Sequence, residues 1–458
     1  MRFRSFFFSA NISFYCYMAL FMAMPQYALA GSNGGISLSL ADAVMMALDK
    51  NRGLSVSEKR AEAAQAIADA ATGRLLPRID ASYVVSRTDL PINVFGDKLL
   101  QKRFTAKDFS ITSLNNPDSI NNYHTDISVT VPVYQGGALW AGKRAGEAGA
   151  AAAQWQHRAR QQAVILEIIE AFATLRQAEA QRTAAGQALN AARNHLQNTR
   201  ALERRGMAIS SDVMDALAHK LQVGVILQSA TDAVATAHDR LQRLLGMRPG
   251  TPFTTRGNAD FALPEKDMHN WVQVATASRP DLVAGKQRVN TARARADAAR
   301  APFRPAIDIQ ATQEWNSNTA APKNGNATIA ANLRLNLFAG GTDRAKLRAT
   351  QTKLEIRQTE LADLKQRIHN EVQATWRNLD EARSRLAAND QVLQQTQESL
   401  RIRRLREQQG LEKVSDVLDA QSRADHARAE AIRARYALII AKARLLAAAG
   451  QLTPEVIQ

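Results

Sequence analysis

The feature that most constrains the fold is a pattern that occurs twice in this sequence. Residues 131–138 read VPVYQGGA and return at 335–342 as LNLFAGGT, while residues 211–216 read SDVMDA and return at 415–420 as SDVLDA. Both matches have the same offset of 204 residues. Self-similarity over such a distance predicts two structurally similar halves that fold against each other.

Upstream of these matches the offset between the two copies changes to 228 residues, since residues 77–80 correspond to 305–308. The first copy therefore carries one insertion, which we predict to be an extended loop at 90–122. The predicted organisation is a targeting segment at 1–30, a first repeat at 31–246 with a strand hairpin at 79–134, a linker at 247–270, a second repeat at 271–450 with a hairpin at 306–338, and a tail at 451–458.

The first thirty residues have the pattern of an export signal. Arg2 and Arg4 precede an apolar stretch, and Ala28, Leu29 and Ala30 form a small-x-small cleavage site. An uncleaved membrane anchor is the alternative, but polar residues and a proline interrupt the apolar stretch, which is short for a membrane span. The only cysteine, Cys16, lies in this segment, so we expect a mature chain without disulfides or cysteine metal sites.

The chain is basic, with a formal net charge of +16. Such a balance suggests an anionic partner, and a basic coiled coil bound to nucleic acid would require that the signal segment stay uncleaved. We expect no nucleic-acid partner, because the basic residues are interleaved with acidic ones along helices. The eight histidines are scattered without a carboxylate or a second histidine at ligand spacing, and neither Gly-Gly pair belongs to a phosphate loop. The sequence therefore predicts no enzyme activity, no metal and no cofactor.

Four segments alternate with a period of two and predict strands at 79–89, 123–134, 306–315 and 327–338. Each has one apolar and one polar face and about the length of a tilted strand that crosses a bilayer. Aromatic residues near the strand ends suit the membrane–water boundary: Tyr83, Tyr123, Tyr134, Trp315 and Phe338. A half-buried sheet of a soluble protein fits any single segment equally well, but two such hairpins in an exported chain favour a membrane sheet.

After each Gly-Gly pair the apolar residues become helical in spacing. In the second copy they lie seven apart, with one phase shift of four: Leu347, Leu354, Leu361 and Ile368, then Val372, Leu379, Leu386, Leu393 and Leu400. The first copy has matching residues at Ile168, Leu175, Leu189 and Leu196. This pattern predicts coiled-coil helices, the first from about residue 138 to 205 and therefore ~100 Å long.

Gly206 and Gly410 are predicted to end these helices in the left-handed conformation. Ser210 or Ser211, and Ser415, are predicted to cap returning helices at about 211–245 and 415–449. Helices at 54–76 and 281–301 would cover the remaining length, and residues 246–264 would form a belt midway along the rod.

Four strands cannot close a barrel, and an open sheet edge inside a bilayer leaves backbone groups without partners. Copies of the chain must therefore combine. Two copies give eight strands, whose interior side chains fill, whereas three give twelve, which can enclose water. Small polar residues on the even-numbered face favour three copies: Ser128, Thr130, Asn332 and Asn336.

These motifs resemble those of the TolC-like outer-membrane efflux proteins, and the resemblance covers nearly all of the mature chain. It implies a mixed α and β fold, in which each chain contributes four strands to a trimeric 12-stranded transmembrane β-barrel continued by a long α-helical coiled-coil periplasmic barrel. It further implies a homotrimer in outer-membrane lipid that serves as the passive exit duct of a tripartite efflux pump or type I secretion system. The implied partners are a periplasmic adaptor and, indirectly, an inner-membrane transporter of the RND, ABC or MFS type.

The resemblance also implies a gate of acidic side chains where the tunnel narrows at the hairpin tips. By position, the candidates are Asp212, Asp416 and Asp419, with Asp215 as the repeat mate of Asp419. Carboxylates around a narrow pore attract cations and repel one another. Alternatively, an aspartate in a first helical turn only complements the helix dipole, which suits Asp212 and Asp416 better than Asp419.

Two positions depart from the family pattern. Some members lock the gate with a tyrosine and an arginine near the tip glycine, where this chain has Glu407 and Glu412. The adaptor would dock at the tips around Gly206 and Met207 and around Gly410 and Leu411; plain turn chemistry is the alternative for these residues. The alternative for the whole chain is an exported coiled-coil structural protein without a pore.

Overall fold

Two very long helices run through the molecule, whose computed structural model describes residues 36–257 and 260–457. The predicted export signal, its cleavage site and Cys16 lie outside these residues. Helices α5 (Ala138–Arg204) and α9 (Thr342–Gln408) each have 67 residues, which corresponds to ~100 Å. They return through α6 (Ser210–Leu244) and α10 (Val414–Ala448), each with 35 residues. The equal lengths confirm the predicted duplication of rods and returning helices.

The apolar seam predicted for the long helices is buried at most positions where the returning helices pack on it, although Leu386 and Leu393 are only partly buried. In α5 the buried seam residues are Ile168, Leu175, Leu189 and Leu196, and in α9 they are Ile368, Val372, Leu379 and Leu400. Leu347, Leu354 and Leu361 are only partly buried in a single chain. No helix among the described residues is both long and apolar enough to span a membrane.

Two shorter helices cover the other half of the rods. Helix α2 (Arg52–Gly73) packs on α5, and α8 (Pro280–Ala298) lies between α5 and α9. The approach of α2 is close, because a Cβ added at Gly146 of α5 would lie 3.0 Å from the Ala68 Cα atom. The four helices α2, α5, α8 and α9 therefore form one layer, in the order α2, α5, α8, α9. Pro280 occupies the first turn of α8, as predicted.

The strands form one antiparallel sheet of order β2-β3-β5-β6. Their bounds are Arg78–Thr88, Ile120–Gln135, Ala306–Ser317 and Gly325–Arg334. The predicted extension of the last strand to residue 338 is wrong for the single chain. Strand β5 begins at Ala306, opposite Arg334, so residues beyond 334 have no strand to pair with. Leu337 and Phe338 are accordingly 88% and 86% exposed.

The two faces of this sheet differ in chemistry. Up to residue 132 of β3, the odd-numbered residues of all four strands share one face, on which many large apolar side chains are exposed: Ile79, Tyr83, Val85, Ile127, Ile309, Ile329 and Leu333. The even-numbered residues form a polar face with its own contacts. There Asp308 accepts hydrogen bonds from Asn332 and Arg334, both at 3.0 Å, and Ser82 donates to Asp126. The predicted alternation is therefore confirmed up to a β-bulge in β3, beyond which Tyr134 pairs with Ile307 and the odd–even correspondence is lost.

The insertion in the first copy is folded, contrary to the extended loop that the sequence predicted. It contains α3 (Pro91–Leu100), a 3₁₀ turn (Ala106–Phe109) and α4 (Ile111–Asn115). Phe104 packs edge-on against Phe95 and Phe109, with ring centroids 4.8 and 5.1 Å apart. The apolar spacing in so short a segment was too brief to show a helical period.

Buried amides attach the insertion to the polar face of the sheet. The Gln101 side-chain amide donates to the Asn122 Oδ1 atom at 3.0 Å, and Asn122 donates to Asn316 Oδ1 at 3.0 Å. Asn122 and Asn316 both have even numbers, so the insertion covers the end of the polar face. All three side chains are almost fully buried.

The main hydrophobic core lies midway along the rods, where the linker was predicted to form a belt. Phe172 of α5 and Trp271 of α7 (Met268–Ser278) are fully buried there with the ends of α6 and α10. Strand β4 (Phe253–Thr255) of the linker pairs in parallel with β1 (Ile36–Leu38), and α1 (Leu40–Lys50) packs beside it. The belt thus joins both copies.

Candidate gate at the helix-hairpin tips

Each hairpin turns through a glycine in the left-handed conformation. Gly206 has φ 74° and Gly410 has φ 72°. The N–H of Met207 donates to the Leu202 carbonyl at 2.9 Å, and the N–H of Leu411 donates to the Arg406 carbonyl at 2.9 Å. This six-to-one bond is a Schellman C-cap, which satisfies carbonyls that the end of a helix leaves free. The predicted role of both glycines in ending the rods is confirmed.

The returning helices are not capped by serine, contrary to the sequence prediction. The N-cap residues are Ile209 and Lys413, so the first cap lies one or two residues before the predicted serine and the second lies two residues before Ser415. The Asp212 carboxylate accepts a hydrogen bond from the Ile209 N–H at 3.2 Å. Ser210 instead donates to the Glu203 carboxylate at 2.8 Å across the hairpin.

The four gate candidates form two equivalent pairs. Asp212 and Asp416 lie in the first turns of α6 and α10 and are half-buried, while Asp215 and Asp419 lie one turn further and are exposed. Residues three apart share a helix face, so each hairpin presents two carboxylates on the same side. Within the described residues, no ion pair neutralises Asp215 or Asp419. Helix capping therefore accounts for Asp212 but not for the outer carboxylates.

Glu412 fastens the second tip to its own rod. Its carboxylate lies 2.6 Å from an Arg403 guanidinium nitrogen and 3.0 Å from Arg406 Nε. The side chain is nearly buried, so both oxygens are used inside one chain. At Glu412, where the sequence departs from the family pattern, two ion pairs within the chain therefore hold the tip.

Glu407, the other departing position, points into the hairpin bundle. Its carboxylate lies 3.9 Å from the His195 Nδ1 atom of α5, and the side chain is nearly buried. Burial raises the pKa of Glu407, and the nearby Arg404 guanidinium opposes that rise. Burial also lowers the pKa of His195, with further lowering by Arg404 and His219. The neutral forms of both groups are therefore favoured by burial.

A polar cluster above the tips was missed by the sequence analysis. Arg404 donates to the Gln421 side-chain oxygen, and Gln421 donates to the Asp425 carboxylate at 2.8 Å. Burial lowers the pKa of His219, against the effect of Asp425. The Nε2 atoms of His195 and His219 are buried without a hydrogen-bond partner within the described residues.

The number of residues that separates each histidine from the tip glycine could have indicated this cluster. His195 precedes Gly206 by eleven residues and His219 follows it by thirteen, so the antiparallel hairpin brings them to one level. Sequence spacing along one helix cannot show such a contact. Among residues 36–257 and 260–457 there is no group of three or more side chains suited to hold a metal ion.

The tips expose apolar side chains. Met207 is 65% exposed and Leu411 is 64% exposed, and the neighbouring Ile209 is similarly open. Both residues occupy the position directly after the tip glycine. The two hairpins thus end in equivalent apolar knobs with carboxylates one or two turns above them.

Comparison with known proteins decides the family. The profile of the outer membrane efflux protein family matches residues 43–247 and 271–451, which are the two repeats. The chain belongs to the outer membrane efflux protein family. The resemblance inferred from the sequence motifs is confirmed, and with it the location in the outer membrane with an extension into the periplasm.

Relatives in this family are distant. The outer membrane efflux protein BepC of Brucella suis is 24% identical over 253 residues, which is 55% of this chain and 55% of BepC. The alkaline protease secretion protein AprF of Pseudomonas aeruginosa is 22% identical over 428 residues, 91% of this chain and 85% of AprF. The chain therefore matches about half the length of BepC and most of AprF.

Solved structures show the same fold. A crystal structure of CusC, from work on its folding and transmembrane channel formation, superposes on this chain with a TM-score of 0.78 at 18% identity. The match covers 95% of this chain and 98% of CusC. At this identity the likeness concerns the fold. Family members and structural neighbours are channel proteins and not enzymes.

Proposed function

We propose that three copies of the chain form a passive exit duct, in which twelve strands close a barrel in the outer membrane and the helices continue it as a tunnel through the periplasm. The observation that carries this proposal is the sheet with two free edges. Strands β2 and β6 each pair on one side only, and the exposed apolar face suits lipid. In a bilayer both edges need partners, which further copies supply.

The polar face of the sheet would then line the bore. Asp126, Asp308 and Asn332 lie on this face, and three copies leave it room for water. Residues 335–338 continue the chain beyond the end of β6. In the trimer, strand β2 of a neighbouring copy would pair with the free edge of β6 and with these residues. An exported structural protein without a pore is not favoured, because the chain belongs to the outer membrane efflux protein family.

We further propose that the acidic tips form the gate. Three copies bring Asp212, Asp215, Asp416 and Asp419 around the narrow end, where exposed carboxylates repel one another and bind cations. The knobs at Met207 and Leu411, beside Gly206 and Gly410, would receive a periplasmic adaptor. The adaptor would link the duct to an inner-membrane transporter of the RND, ABC or MFS type. AprF supports secretion of polypeptides as one use of such a duct, and BepC supports efflux.

Disulfide trapping tests the closed barrel. Cysteine at Thr328 of β6 is combined in turn with cysteine at Asp80, Ser82, Val84 or Ser86 of β2. Two strands separate β2 from β6 in one chain, about 14 Å at ~4.8 Å per strand, too far for a disulfide. Oxidation in outer membranes should therefore yield covalent trimers for the pair in register.

Cysteine at Thr312 of the central strand β5, combined with the same β2 positions, is the matched control and should give no trimer. Purified trimers in planar bilayers should conduct ions. Trimers without conductance, or only monomers with every cysteine pair, would refute the duct.

A further inference from the structure

A basic groove crosses the four-helix layer between the sheet and the belt. Helices α2, α5, α8 and α9 all line it, and its volume is about 930 Å³. On each helix the lining residues recur at three, four and seven positions, for example Arg288, Thr291, Ala292 and Arg295 on α8. The groove therefore occupies one face of the whole layer.

Each of the four helices contributes at least one basic side chain to the lining, and the lining contains no carboxylate. Its lysine and arginine side chains are Arg60, Arg160, Arg288, Arg295, Lys353 and Arg357. Arg160 is paired with Glu167 at 2.8 Å, and Arg357 with Glu360 at 2.6 Å. Arg288 donates only to the neutral Gln156, at 2.6 Å. The groove thus keeps a net positive charge.

The direction of the groove follows from the helical phase of α5. Gly149 lines the groove, and Trp140 precedes it by nine residues, or two and a half turns, so the two lie on opposite faces. Trp140 is exposed and lies two residues into α5, directly below the membrane sheet. A tryptophan at that level suits the membrane boundary on the outside of the protein. The groove then faces the bore.

From this arrangement we propose that the groove forms a band of the tunnel wall that binds and favours anionic cargo, through carboxylate or phosphate groups. This inference rests on the proposed trimeric duct, which places three such grooves around one bore. Charges of one sign that line a narrow passage concentrate ions of the opposite sign, and arginine and lysine rings favour anions in pores. Acidic tips and a basic upper wall would act on cargo in succession.

Side-specific block in planar bilayers tests this proposal. Hexaglutamate or tripolyphosphate is added on the barrel side, from which it reaches the groove before the acidic tips. Both probes should block the native channel, and hexalysine should block much less. Replacing Arg60, Arg288, Arg295 and Lys353 by Gln should raise the half-blocking concentration of the polyanions at least tenfold, whereas lysine at the three arginine positions should preserve block.

Arg144→Gln with Arg158→Gln is the matched control, since Arg158 follows Gly149 by nine residues and lies on the outer face. The polyanions should block this control channel at the same concentrations as the native channel. If the fourfold variant does not assemble, Lys353→Gln alone, at an exposed position, should weaken block about twofold to threefold. Equal block of native and variant channels would overturn the inference while the duct stands. A trimer that forms no channel would overturn the duct and the inference with it.

The relative strength of the two probes distinguishes the source of the anionic group. Stronger block by hexaglutamate would assign carboxylate-rich cargo such as an acidic polypeptide. Stronger block by tripolyphosphate would assign phosphate-bearing cargo. Either result supports a basic band that binds anionic cargo.

Discussion

Individual residues at the tips have separable roles. Asp212 accepts a backbone hydrogen bond, Glu412 is held by two arginines, and Glu407 is buried beside His195. Asp419 is exposed on α10 and has no side-chain hydrogen bond or ion pair among the residues that the structure describes. The sequence located all of these positions by repeat and resemblance. It could not show which were buried, because burial depends on a second helix that returns from a distant part of the chain.

Removing the two carboxylates of the second tip should change ion binding at the proposed gate. Asp416→Ala combined with Asp419→Ala should weaken Mg²⁺ block from the periplasmic side about threefold to tenfold, because fewer negative charges line the throat. The measurement is single-channel conductance during a Mg²⁺ titration. Asp232→Ala, at an exposed position of α6 remote from the tip, should leave the block unchanged. Undiminished block in the double variant would assign both residues to the helix turn alone.

At the scale of helices and strands, the sequence predicted those elements that are long enough to show a repeating apolar pattern. Heptads fixed α5 and α9, and alternation fixed the two faces of the sheet. The ends of elements were less accessible: β6 stops at Arg334 because its continuation lacks a partner in one chain. The helices of the insertion are too short to show a period. The histidine cluster joins two hairpins, a contact that no local pattern encodes.

The hairpin ends should become less stable in acid. The folded chain lowers the pKa of His195 and His219, so the unfolded state binds more protons as pH falls below about 6.5, and stability is lost in that range. Each unit of pKa shift changes the opening equilibrium by up to about tenfold. Glu407 acts in the opposite direction, because a raised pKa loses stability as pH rises. Hydrogen exchange of the tip helices, corrected for intrinsic rates, should therefore show more opening at pH 5.5 than at pH 7.5.

His195→Gln with His219→Gln provides the comparison for this experiment. The double variant should lose the acid-induced opening, and Glu407 should then make the tips firmer at the lower pH. His269→Gln, on α7 in the belt, serves as a control and should retain the native response. Acid-induced opening that persists without both tip histidines would contradict this explanation.

The whole molecule combines a four-stranded sheet, a belt and two helical hairpins in one chain. Family membership follows from the repeats together with the tip motifs. The proposed assembly rests on two features of the single chain. Its sheet has two edges without partner strands, and one face of that sheet exposes apolar side chains. The free edges were predictable from the strand number and the apolar face from the alternation, whereas the contacts that would complete them in the proposed trimer lie between copies.

A charge on the apolar face should impair membrane insertion. Ile329 is 80% exposed on that face, and arginine near the bilayer midplane of a barrel costs about 2–4 kcal/mol. Ile329→Arg should therefore reduce the amount of folded trimer in outer membranes. Thr328→Arg changes the adjacent residue on the polar face and should assemble nearly normally. The readout is the heat-modifiable trimer band of isolated membranes, and equal loss in both variants would contradict the assigned faces.

The single insertion has a consequence for symmetry. In a ring of three chains the duplicated hairpins give the periplasmic end six nearly equivalent units, related by an approximate sixfold axis. At the outer end, the folded insertion at 90–122 alternates with the short turn between β5 and β6, so only the threefold axis survives. A partner at the tips therefore meets two alternating versions of one surface, whereas a molecule at the outer mouth meets three identical ones.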